Sequence, residues 1–547
     1  MSEHPVAGDF TGGMCLQRRL LRACRSAAGR LKVADSLGTR LTGRQLLTRI
    51  LAARRVLERN LAPDERMVGV FLPPTVAGVV VNAALALAGR VAVNLNYTVS
   101  QPILDTCIRL AGLEHVITSR TFLDRVGLEV GETFLDAAAL RGQLTLSDKL
   151  AAAAGATLVP LGLLDSWLGL DRIRPNDTLT VIFTSGSTGD PKGVVLSVEN
   201  VGSNVEAIDS LLHVSAGDVA VGSLPFFHSY GYTTTLWTPL VLDPACVYHT
   251  NPLDAQAIGR LAREHHATIL MSTPTFLRTY IRRTPAEDFE SLEVVFAAAE
   301  KLPRDVSDAF ERKFGVRPQE AYGATELAPL VAANVPHTRH VPGRPADAKE
   351  GTVGRPVLGC EARVTRREDH SPDAASELPL GQEGLLWIRG PNVMQGYLDR
   401  PDLSADVLRD GWYCTGDIAR LDEEGFITIT GRESRFSKIG GEMVPHVTIE
   451  EKLNELLGAE DGDLLAVVAA VPDAKKGERL VVLHLPIRIE PAEVCRRMAE
   501  AGLPNLWIPS PEAFAEIEEI PVLGTGKLDL KRLASTARQR FGGEAVA

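Results

Sequence analysis

Short apolar strand signals alternate with helix signals along most of the chain, and this alternation constrains the fold more than any other feature. The clearest unit combines the strand MVGVFLP, a turn at Pro73-Pro74 and the apolar helix VAGVVVNAALALAG. Comparable strand signals recur at 115–120, 179–186, 218–225, 267–273 and 292–300. Strands that alternate with helices are typical of doubly wound α/β folds. We therefore predict parallel sheets covered by helices.

The pattern changes after about residue 350, where short alternating strands separated by turns replace the apolar strands. The segments GCEARVTR, GLLWIRG and GFITITGR predict an antiparallel, barrel-like subdomain. Beyond Gly431, helix and strand signals follow in TIEEKLNELLG, LLAVVAAVP, LVVLHLP and PAEVCRRMAEAG. These four signals are enough for a compact α+β domain at the end of the chain.

Composition excludes several classes of protein. Of the 547 residues, 45% are hydrophobic and 23% charged, as in a globular protein with a sizeable core. The net charge of −11 makes the surface repel nucleic acid, so we expect no nucleic acid partner. The 7 cysteines are scattered and never form a C-x-x-C pair, which supports neither a disulfide framework nor a zinc knuckle. A reducing cytoplasm fits them best.

Two stretches of the sequence have the apolar character of segments that cross or contact a membrane. The run 67–89 carries no charge, but Pro73-Pro74 interrupts it, so we predict no transmembrane segment. Residues 15–32 spread arginines among apolar residues, which excludes a secretion signal. This pattern is typical of a membrane-surface helix or of the first surface helix of a globular domain. We favour the second interpretation and leave peripheral contact with the inner face of a membrane open.

The most specific motif is TSGSTGDPKGV, which directly follows the apolar strand LTVIF. Hydroxyl side chains, glycines and Lys192 within so few residues suit a loop that wraps phosphate oxygens with N–H groups and side-chain donors. The spacing matches neither G-x-x-x-x-G-K-[ST] nor G-x-G-x-x-G. We therefore predict a phosphate loop of a different type.

Further motifs follow in a fixed order: AAAEKL at 297–302, AYGATE at 321–326, CTGD at 414–417, GRESRFSKIGGE from 431, and PVLGTGKLD. Together with the phosphate loop they resemble the motifs of the adenylate-forming enzymes, which include acyl-CoA synthetases, the adenylation domains of nonribosomal peptide synthetases, and luciferases. The resemblance implies an α/β fold with a large N-terminal domain, 1–433, of two doubly wound sheets and a barrel-like subdomain. It also implies a small mobile α+β domain, 434–547, that carries a catalytic lysine.

The resemblance assigns the nucleotide site residue by residue. The implied ATP and AMP contacts are Thr184, Ser185, Gly186, Ser187, Thr188, Gly189, Lys192, Ala299, Glu300, Ala321, Tyr322, Gly323, Ala324, Thr325, Glu326, Asp417, Arg432 and Lys527. Within this set Thr325 is implied to contact the α-phosphate, and Glu326 with Thr184 to hold Mg²⁺. The implied catalytic residues are Lys527, Thr184, Lys192, Glu326 and His228. ATP and Mg²⁺ are the implied cofactors.

The chemistry of activating a carboxylate with ATP fits these residue types. Two anions must be brought together, so the site needs Lys527, Mg²⁺ on Glu326 and the donors of the phosphate loop. Asp417, in a tight TGD turn, can accept hydrogen bonds from two neighbouring ribose hydroxyls. Without their motifs, Lys527 would be read as a solvated lysine and Asp417 as a turn residue.

A lysine on a separate small domain implies a domain that turns between adenylation and the second step. The family places Asp or Lys at the hinge, two residues after the motif arginine. Here Ser434 occupies that position and Arg435 follows it. We predict Ser434 as the hinge, with a rotation axis that departs from the family pattern.

The segment LPFFHSYGYTTTLWTPL at 224–240 is implied to line the acyl pocket. Amino-acid-activating members generally have an aspartate where His228 stands, because a substrate ammonium needs a carboxylate partner in a dry pocket. His228 with Phe226, Phe227 and Tyr230 resembles the aromatic gate of the acyl-activating branch, and Trp237 supplies apolar wall. The alternative for His228 is a buried, hydrogen-bonded core histidine.

Shorter segments, among them PFFHSYG, TPTFLRTY and GPNVMQGY, resemble one subgroup: the acyl-acyl carrier protein synthetase half of the bifunctional 2-acylglycerophosphoethanolamine acyltransferase/acyl-ACP synthetase. This resemblance predicts ATP-dependent activation of a long-chain fatty acid to acyl-AMP, then transfer to the phosphopantetheine thiol of acyl carrier protein or CoA. Carrier protein is acidic and needs a cationic docking surface. The candidates are Lys475, Lys476, Arg479, Arg496, Arg497, Lys531 and Arg532.

Two other enzymatic interpretations stay open at this point. The chain could be a ligase strictly for CoA, or a β-lactone-forming or other synthetase that uses acyl-AMP with a different nucleophile. A degenerate acyl-nucleotide binding protein is disfavoured, because the motif residues are all intact: Lys192, Thr325, Glu326, Asp417, Arg432 and Lys527.

Overall fold

The computed structural model describes residues 14–185, 191–339, 348–439, 442–459, 464–473, 476–522 and 528–541. The strands of this part of the chain are β1 (Leu31–Asp35), β2 (Arg40–Thr42), β3 (Met67–Val70), β4 (Val91–Asn94), β5 (Val116–Thr118), β6 (Phe134–Asp136), β7 (Thr178–Ser185), β8 (Pro191–Ser197), β9 (Val219–Gly222), β10 (Ala245–Tyr248), β11 (Ile269–Ser272), β12 (Val294–Ala297), β13 (Gln319–Gly323), β14 (Leu330–Ala333), β15 (Arg355–Pro356), β16 (Glu361–Thr365), β17 (Gly384–Arg389), β18 (Gly396–Tyr397), β19 (Leu408–Arg409), β20 (Trp412–Leu421), β21 (Ile427–Arg432), β22 (Phe436–Ile439), β23 (Glu442–Pro445), β24 (Ala466–Asp473), β25 (Gly477–His484) and β26 (Phe514–Glu516).

The helices of the same part are α1 (Leu16–Ser26), α2 (Gly43–Asn60), α3 (Val76–Leu87), α4 (Gln101–Leu110), α5 (Arg120–Val126), α6 (Ala137–Gly142), α7 (Leu146–Thr157), α8 (Leu161–Leu168), α9 (Val198–Leu212), α10 (Ser229–Gly231), α11 (Thr238–Val241), α12 (Ala255–His265), α13 (Pro274–Arg283), α14 (Arg304–Phe314), α15 (Pro401–Val407), α16 (His446–Leu456), α17 (Pro491–Glu500) and α18 (Leu530–Phe541). A π-helix, Tyr232–Trp237, joins α10 to α11.

The strand–turn–helix unit read from the sequence is confirmed at β3 and α3. Pro73 and Pro74 lie in the connection, and α3 begins where the Thr75 hydroxyl accepts a hydrogen bond from the Gly78 N–H at 3.2 Å. A side-chain oxygen at this position satisfies one of the free N–H groups of the first helical turn. Most of α3 is buried, because its apolar residues run all round the helix.

Within the described residues, the first large sheet has the order β18-β8-β7-β4-β3-β5-β6. The pairs β3–β4, β3–β5, β4–β7 and β5–β6 are parallel, as the alternation of strands and helices predicts. The prediction of wholly parallel sheets is wrong at the edge, because β7 and β8 pair antiparallel. Five residues separate these two strands, too few for the crossover that parallel pairing needs.

The second large sheet has the order β15-β14-β13-β12-β11-β9-β10-β1-β2 within the described chain. Its centre, from β13 through β12, β11, β9 and β10 to β1, is parallel, and its two edges are antiparallel. The carboxyl ends of β9, β11, β12 and β13 therefore lie along one edge. Ligands of open α/β sheets bind outside such an edge.

The segments after residue 350 form an antiparallel sheet, as predicted. Its strands follow the order β16-β17-β20-β19, and β21 pairs with β20. Trp387 and Trp412 are buried against Leu385 and Ile418 in a small apolar core of this sheet. The long strand β20 contains the CTGD motif, so this sheet carries Asp417 toward the nucleotide motifs.

The arginine-rich stretch 15–32 folds as α1, and the structure supports the interpretation as a helix of a globular domain. Leu16, Leu20, Leu21 and Cys24 are almost fully buried in the largest core of the protein. The apolar face of α1 is therefore not available to a lipid surface. Among the described helices, none is long and apolar enough to cross a bilayer.

The end of the chain folds as a small α+β unit. Its sheet has the order β23-β22-β25-β24, and β26 pairs with β25. One apolar cluster contains residues of α16 and α17, and a second contains residues of α18. Arg432 ends β21 opposite Asp417, whereas Arg435 is buried and bonds to Glu450 in α16. Ser434 lies in the turn Glu433–Arg435 between them, and the 433/434 boundary stays a prediction.

Candidate active site

The predicted nucleotide motifs converge at the carboxyl edge of the second large sheet. Ala299 and Glu300 follow β12, His228 lies in the connection after β9, and Gly323 ends β13. The sequence motifs are far apart along the chain, but parallel pairing of β9, β11, β12 and β13 brings their ends together. The edge of the sheet therefore supplies the platform of the candidate site.

The phosphate loop is held at both ends by a strand pair. Thr184 pairs with Lys192 and Ser185 with Pro191 across β7 and β8. The predicted contacts Gly186, Ser187, Thr188 and Gly189 lie outside the described residues. The Lys192 ammonium lies 5.2 Å from the centre of the Tyr397 ring, within range of a cation–π interaction.

Tyr397 also contacts the predicted magnesium ligand. Its hydroxyl donates a hydrogen bond to Oε1 of Glu326 at 2.9 Å. Burial and the neighbouring Glu326 carboxylate both raise the pKa of Tyr397, so the phenol stays protonated and donates. Tyr397 is therefore the common neighbour of Lys192 and Glu326, a link that sequence reasoning missed.

A single carboxylate fits the way proteins bind Mg²⁺ with nucleotides. No group of three acidic, histidine or cysteine side chains that could hold a metal ion occurs within the described ranges. Mg²⁺ in phosphate-transferring sites needs only one or two carboxylates, because substrate phosphates and water complete its shell. Glu326 keeps its second oxygen, Oε2, clear of the Tyr397 bond, so it fits such a metal.

Tyr322 and Arg432 are partners of Asp417, and the structure brings these three residues together. The Tyr322 hydroxyl donates to one oxygen of Asp417, and the Arg432 guanidinium lies 3.5 Å from the other. Burial and the Asp417 charge raise the pKa of Tyr322 well above its usual range. Asp417 raises the pKa of Arg432. The carboxylate is thus fixed in position within β20, so the prediction of a tight TGD turn is wrong: the motif forms an irregularity of the strand, where Gly416 has a positive φ of 69°.

The AYGATE motif makes a tight turn between β13 and β14. A Cβ atom at Gly323 would lie 2.0 Å from the Pro329 carbonyl oxygen, so only glycine fits there. Ala321 and Tyr322 precede this point on β13, and the Ala324 N–H donates to the same carbonyl at 3.0 Å. The turn leads directly to Thr325 and Glu326.

Thr325 connects the nucleotide motif to the segment predicted for the acyl group. Its hydroxyl lies 3.2 Å from the Ser229 hydroxyl, next to His228. His228 is half-buried, and its Nδ1 accepts a hydrogen bond from the Tyr230 N–H at 3.2 Å. Thr325 is buried, so this contact joins the two predicted halves of the site inside the protein.

The AAAEKL motif begins at the last residue of β12 and continues beyond it. Ala299 has a positive φ of 73°, an unusual conformation for a residue with a side chain. The Glu300 carboxylate accepts a hydrogen bond from the Thr275 hydroxyl at 2.8 Å. A constrained backbone next to the AYGATE turn is compatible with a flat ligand, and the predicted roles of Ala299 and Glu300 stay predictions.

A narrow apolar cleft lies behind this edge. Tyr230 and Thr234 form part of its lining. The other lining residues are Ile208, Leu211, Leu212, Met271, Phe296, Ala321, Leu330 and Ala333. The side chains from α9, β11, β12 and β14 were missed by sequence reasoning, because apolar residues at these positions look like ordinary core. None of the lining side chains carries a charge.

The other residues predicted for the acyl pocket pack into the surrounding core. The ring of Phe227 meets Tyr97 edge-on at 4.8 Å, and that of Phe226 meets Tyr248 at 5.8 Å. Trp237 is fully buried and packs against Tyr232 at 6.3 Å. They support the wall that carries Tyr230, and a direct contact with substrate stays a prediction.

Two further predicted residues carry no structural description of their side chains. Lys527 lies outside the described residues, and the side chain of Ser434 is likewise not described. Tyr413, directly before the CTGD motif, was also missed: burial raises its pKa well above the usual range, and the charges of Glu326, Tyr397 and Tyr322 raise it further. Its position directly before Cys414 of the motif is the sequence feature that could have identified it.

Comparison with known proteins shows which family the sequence matches. The model of the family described as AMP-binding enzyme matches residues 20–398. A long-chain-fatty-acid–CoA ligase from Yersinia pestis is 29% identical over 362 residues, which are 64% of this chain and 60% of that protein. The match thus spans less than two thirds of that relative. A feruloyl-CoA synthase from an Amycolatopsis species is 27% identical over 520 residues, 92% of this chain and 95% of that protein.

The fold agrees with solved structures. ATP-bound MatB from Rhodopseudomonas palustris superposes with a TM-score of 0.76 at 24% identity, covering 96% of this chain and 99% of MatB. This likeness confirms the predicted α/β fold with a large N-terminal domain and a smaller C-terminal domain. Because the family model matches well over half of the 547 residues, the chain belongs to the AMP-binding enzyme family.

Proposed function

We propose that this protein is an ATP-dependent, AMP-forming fatty acid ligase, which makes acyl-AMP and then a thioester. One observation carries the proposal: Thr325, which precedes Glu326, contacts Ser229, and the next residue, Tyr230, lines a cleft without charged side chains. A carboxylic acid with a hydrocarbon chain would have its two ends matched by these two environments. The relatives named above, both of which form CoA thioesters by name, support the same class.

The first step would join a fatty acid carboxylate oxygen to the α-phosphorus of ATP and release pyrophosphate. Asp417, fixed by Tyr322 and Arg432, would accept hydrogen bonds from the ribose hydroxyls and hold the nucleotide in register. Mg²⁺, when bound at Glu326, supplies positive charge to the phosphates. Lys192 and the phosphate loop would add donors, so most of the barrier falls through positioning and charge neutralisation.

The second step would break the acyl–AMP bond. A thiolate attacks the acyl carbonyl carbon, the thioester forms, and AMP leaves with its phosphate oxygen. By the family resemblance, Lys527 on the small domain belongs to the first step, and a turn of that domain about Ser434 brings up the thiol. Arg435 would anchor the start of the small domain through Glu450 while Arg432 stays with Asp417.

The cleft supports a hydrocarbon substrate rather than an amino acid. A buried ammonium would need a carboxylate partner, and the cleft lining contains no charged side chain. His228 lies two residues before Tyr230, which lines the cleft, and its Nδ1 accepts a hydrogen bond from the Tyr230 N–H. We propose that its other ring nitrogen, Nε2, faces the substrate carboxylate and reacting phosphate.

The acceptor would be a phosphopantetheine thiol, and we propose CoA because the relatives named above form CoA thioesters by name. On the small domain Arg496 pairs with Glu493 and Glu500, and Arg497 with Glu493 at 2.8 Å. Arg532 pairs with Glu519 at 2.9 Å. These arginines are therefore largely neutralised and offer little attraction to an acidic carrier protein. Lys475 lies outside the described residues.

The test is turnover of palmitate with ATP and Mg²⁺, with thioester assayed separately on CoA and on holo acyl carrier protein. We expect AMP, pyrophosphate and palmitoyl-CoA in equal amounts, and loss of product in Lys527→Ala. Thioester on carrier protein alone would replace CoA as the acceptor. Acyl-AMP without thioester on either thiol would contradict the ligase and favour a synthetase with a hydroxyl nucleophile.

A further inference from the structure

Two consecutive helices expose large apolar side chains to solvent. In α7, the following Leu158 and α8, the side chains of five residues are 54–80% exposed: Leu146, Leu150, Leu158, Leu163 and Trp167. We call these five residues the α7–α8 surface. Apart from Ile103 and Leu110 on α4, the other exposed large apolar residues of the described chain lie singly in different elements, which is normal for a globular protein. Five such residues within 146–167 are a concentration of the kind that marks an interaction site.

Spacing places these side chains on the outer faces of their helices. Leu146 and Leu150 are four residues apart on α7, and Leu163 and Trp167 are four apart on α8. Residues with this spacing share one face of a helix. Ala152 and Ala156 on the opposite face of α7 are buried, and so is Leu164 on a neighbouring face of α8, so the exposure does not come from loose ends.

The two helices are firmly attached to the protein body. Asp148 accepts hydrogen bonds from Arg55 at 2.9 Å and from Arg59 at 2.8 Å, both on α2. On α1, Arg25 donates to the Gly155 carbonyl at 2.8 Å and to the Val159 carbonyl at 2.6 Å. Exposed leucines on a fixed support are available to a partner without any local unfolding.

Positive charges flank this surface. Arg141, Lys149, Arg172 and Arg174 are exposed, and none forms an ion pair with another residue of the described chain. Asp171 and Asp177 are exposed acids among them, and Asp177 accepts a hydrogen bond from the Arg174 N–H. The local excess of positive charge contrasts with a net charge of −11 for the whole chain. Such cations next to apolar side chains favour an anionic partner with an apolar interior.

We propose that the α7–α8 surface binds the surface of a lipid bilayer that contains anionic lipids. The leucines insert among the acyl chains, Trp167 lies at the level of the headgroups, and the four cations contact lipid phosphates. A symmetric contact with a second copy of this chain fits less well, because a two-fold axis would bring the same cations together. The proposal does not depend on which acid the enzyme activates.

Vesicle co-sedimentation of the full chain tests the proposal. We expect binding to phosphatidylcholine vesicles that contain phosphatidylglycerol, and at least about tenfold weaker binding for Leu150→Gln/Leu163→Gln, since two apolar contacts are lost. The matched control is Leu358→Gln/Leu380→Gln, whose side chains are 54% and 60% exposed elsewhere. Absence of binding by the unaltered chain, or equal losses in both double variants, would overturn the proposal.

Two further measurements test separately the contribution of the arginines and the insertion of Trp167 into the bilayer. Arg172→Gln/Arg174→Gln should weaken binding to the anionic vesicles and reduce its salt dependence, while Arg312→Gln/Lys531→Gln should not. Tryptophan emission should shift to shorter wavelength on vesicles, and this shift should disappear in Trp167→Phe. A Leu150→Gln/Leu163→Gln variant that changes a dimer to a monomer, with vesicle binding intact, would assign the surface to a second copy instead.

Discussion

The nucleotide side and the acyl side of the candidate site are built on opposite principles. On the nucleotide side, charged groups are held by specific partners: Asp417 by Tyr322 and Arg432, and Glu326 by Tyr397. On the acyl side, the cleft is bounded by apolar side chains from four strands and two helical segments, with no charge in its lining. The same Thr325 that follows the nucleotide turn contacts the acyl side through Ser229.

Because of this difference, we expect the nucleotide side to determine the rate of the reaction and the acyl side to determine which acid is preferred. A fixed carboxylate loses much of its effect when one oxygen moves, because electrostatic stabilisation depends on preorganised groups. An apolar cleft discriminates by length and width, and one methylene group changes binding only modestly. Substitutions on the nucleotide side should therefore reduce turnover of every acid equally, whereas substitutions in the cleft should change which acid is preferred.

The largest effect should come from Glu326→Gln. The change keeps the shape of the side chain and the Tyr397 contact but removes the charge that Mg²⁺ needs. We expect acyl-AMP formation to fall about 10²- to 10³-fold for every acid, as when one electrostatic group is lost from an active site. Acid-dependent exchange of pyrophosphate into ATP measures it. A control, Glu361→Gln, removes an exposed acid that pairs with Arg389 and should leave the rate unchanged.

Asp417→Ala should have the next largest effect. It removes the acceptor proposed for the ribose and leaves Tyr322 and Arg432 without their carboxylate. We expect the KM for ATP to rise about 10- to 100-fold, since hydrogen bonds to charged groups contribute roughly 1.5–3 kcal/mol. The KM for the fatty acid should stay within about twofold. Asp402→Ala, an exposed acid paired with Arg400, is the control. A selective rise in the KM for the fatty acid would show that Asp417 acts on fatty acid binding rather than on ATP binding.

Ala333→Leu should change the preference among acids rather than the turnover of every acid. Ala333 lines the cleft on β14, opposite Ala321, and a larger side chain there shortens the space for a hydrocarbon chain. We expect kcat/KM for palmitate to fall about tenfold relative to a short acid, within the range that a hydrophobic pocket can discriminate. The ratio of the two acids is its own control for overall damage to the core. Equal losses for both acids would show that the cleft does not determine which acid is preferred.

Tyr397→Phe should have the smallest effect. The ring stays beneath Lys192, and the hydroxyl loses its hydrogen bond to Glu326 and its contact with Tyr413. We expect a three- to tenfold lower rate at limiting Mg²⁺, consistent with a hydrogen bond contribution of about 1 kcal/mol, and recovery at high Mg²⁺. Calorimetric binding of Mg²⁺ with ATP gives a second readout. A loss that Mg²⁺ does not restore would show that Tyr397 acts on something other than the metal ligand.

The comparison also explains what could be predicted from the sequence. Motifs such as AYGATE carry tight geometry in consecutive residues, and the clash that a Cβ atom at Gly323 would make with Pro329 shows why the spacing is strict. The apolar strands and α3 could be predicted because their periodicity is local. The antiparallel β7–β8 pair was missed, although five connecting residues are too few for a parallel crossover.

Contacts between distant residues could not be predicted in the same way. Tyr397 lies 71 residues from Glu326, and nothing in the surrounding sequence requires their hydrogen bond. Leu212 and Met271 line the cleft from different elements, and their apolar character is the same as that of core residues. Such pairings depend on how α9, β11 and β18 pack, which local patterns do not determine.

The most direct test of the account follows the oxygen that the first step transfers. A fatty acid whose carboxylate carries a heavy oxygen isotope is incubated with the enzyme, ATP, Mg²⁺ and CoA, and the products are examined by mass spectrometry. Attack of the carboxylate on the α-phosphorus, followed by thiol attack on the acyl carbon, predicts one labelled oxygen in AMP. Label in inorganic phosphate, or thioester formed with unlabelled AMP, would contradict an acyl-AMP intermediate.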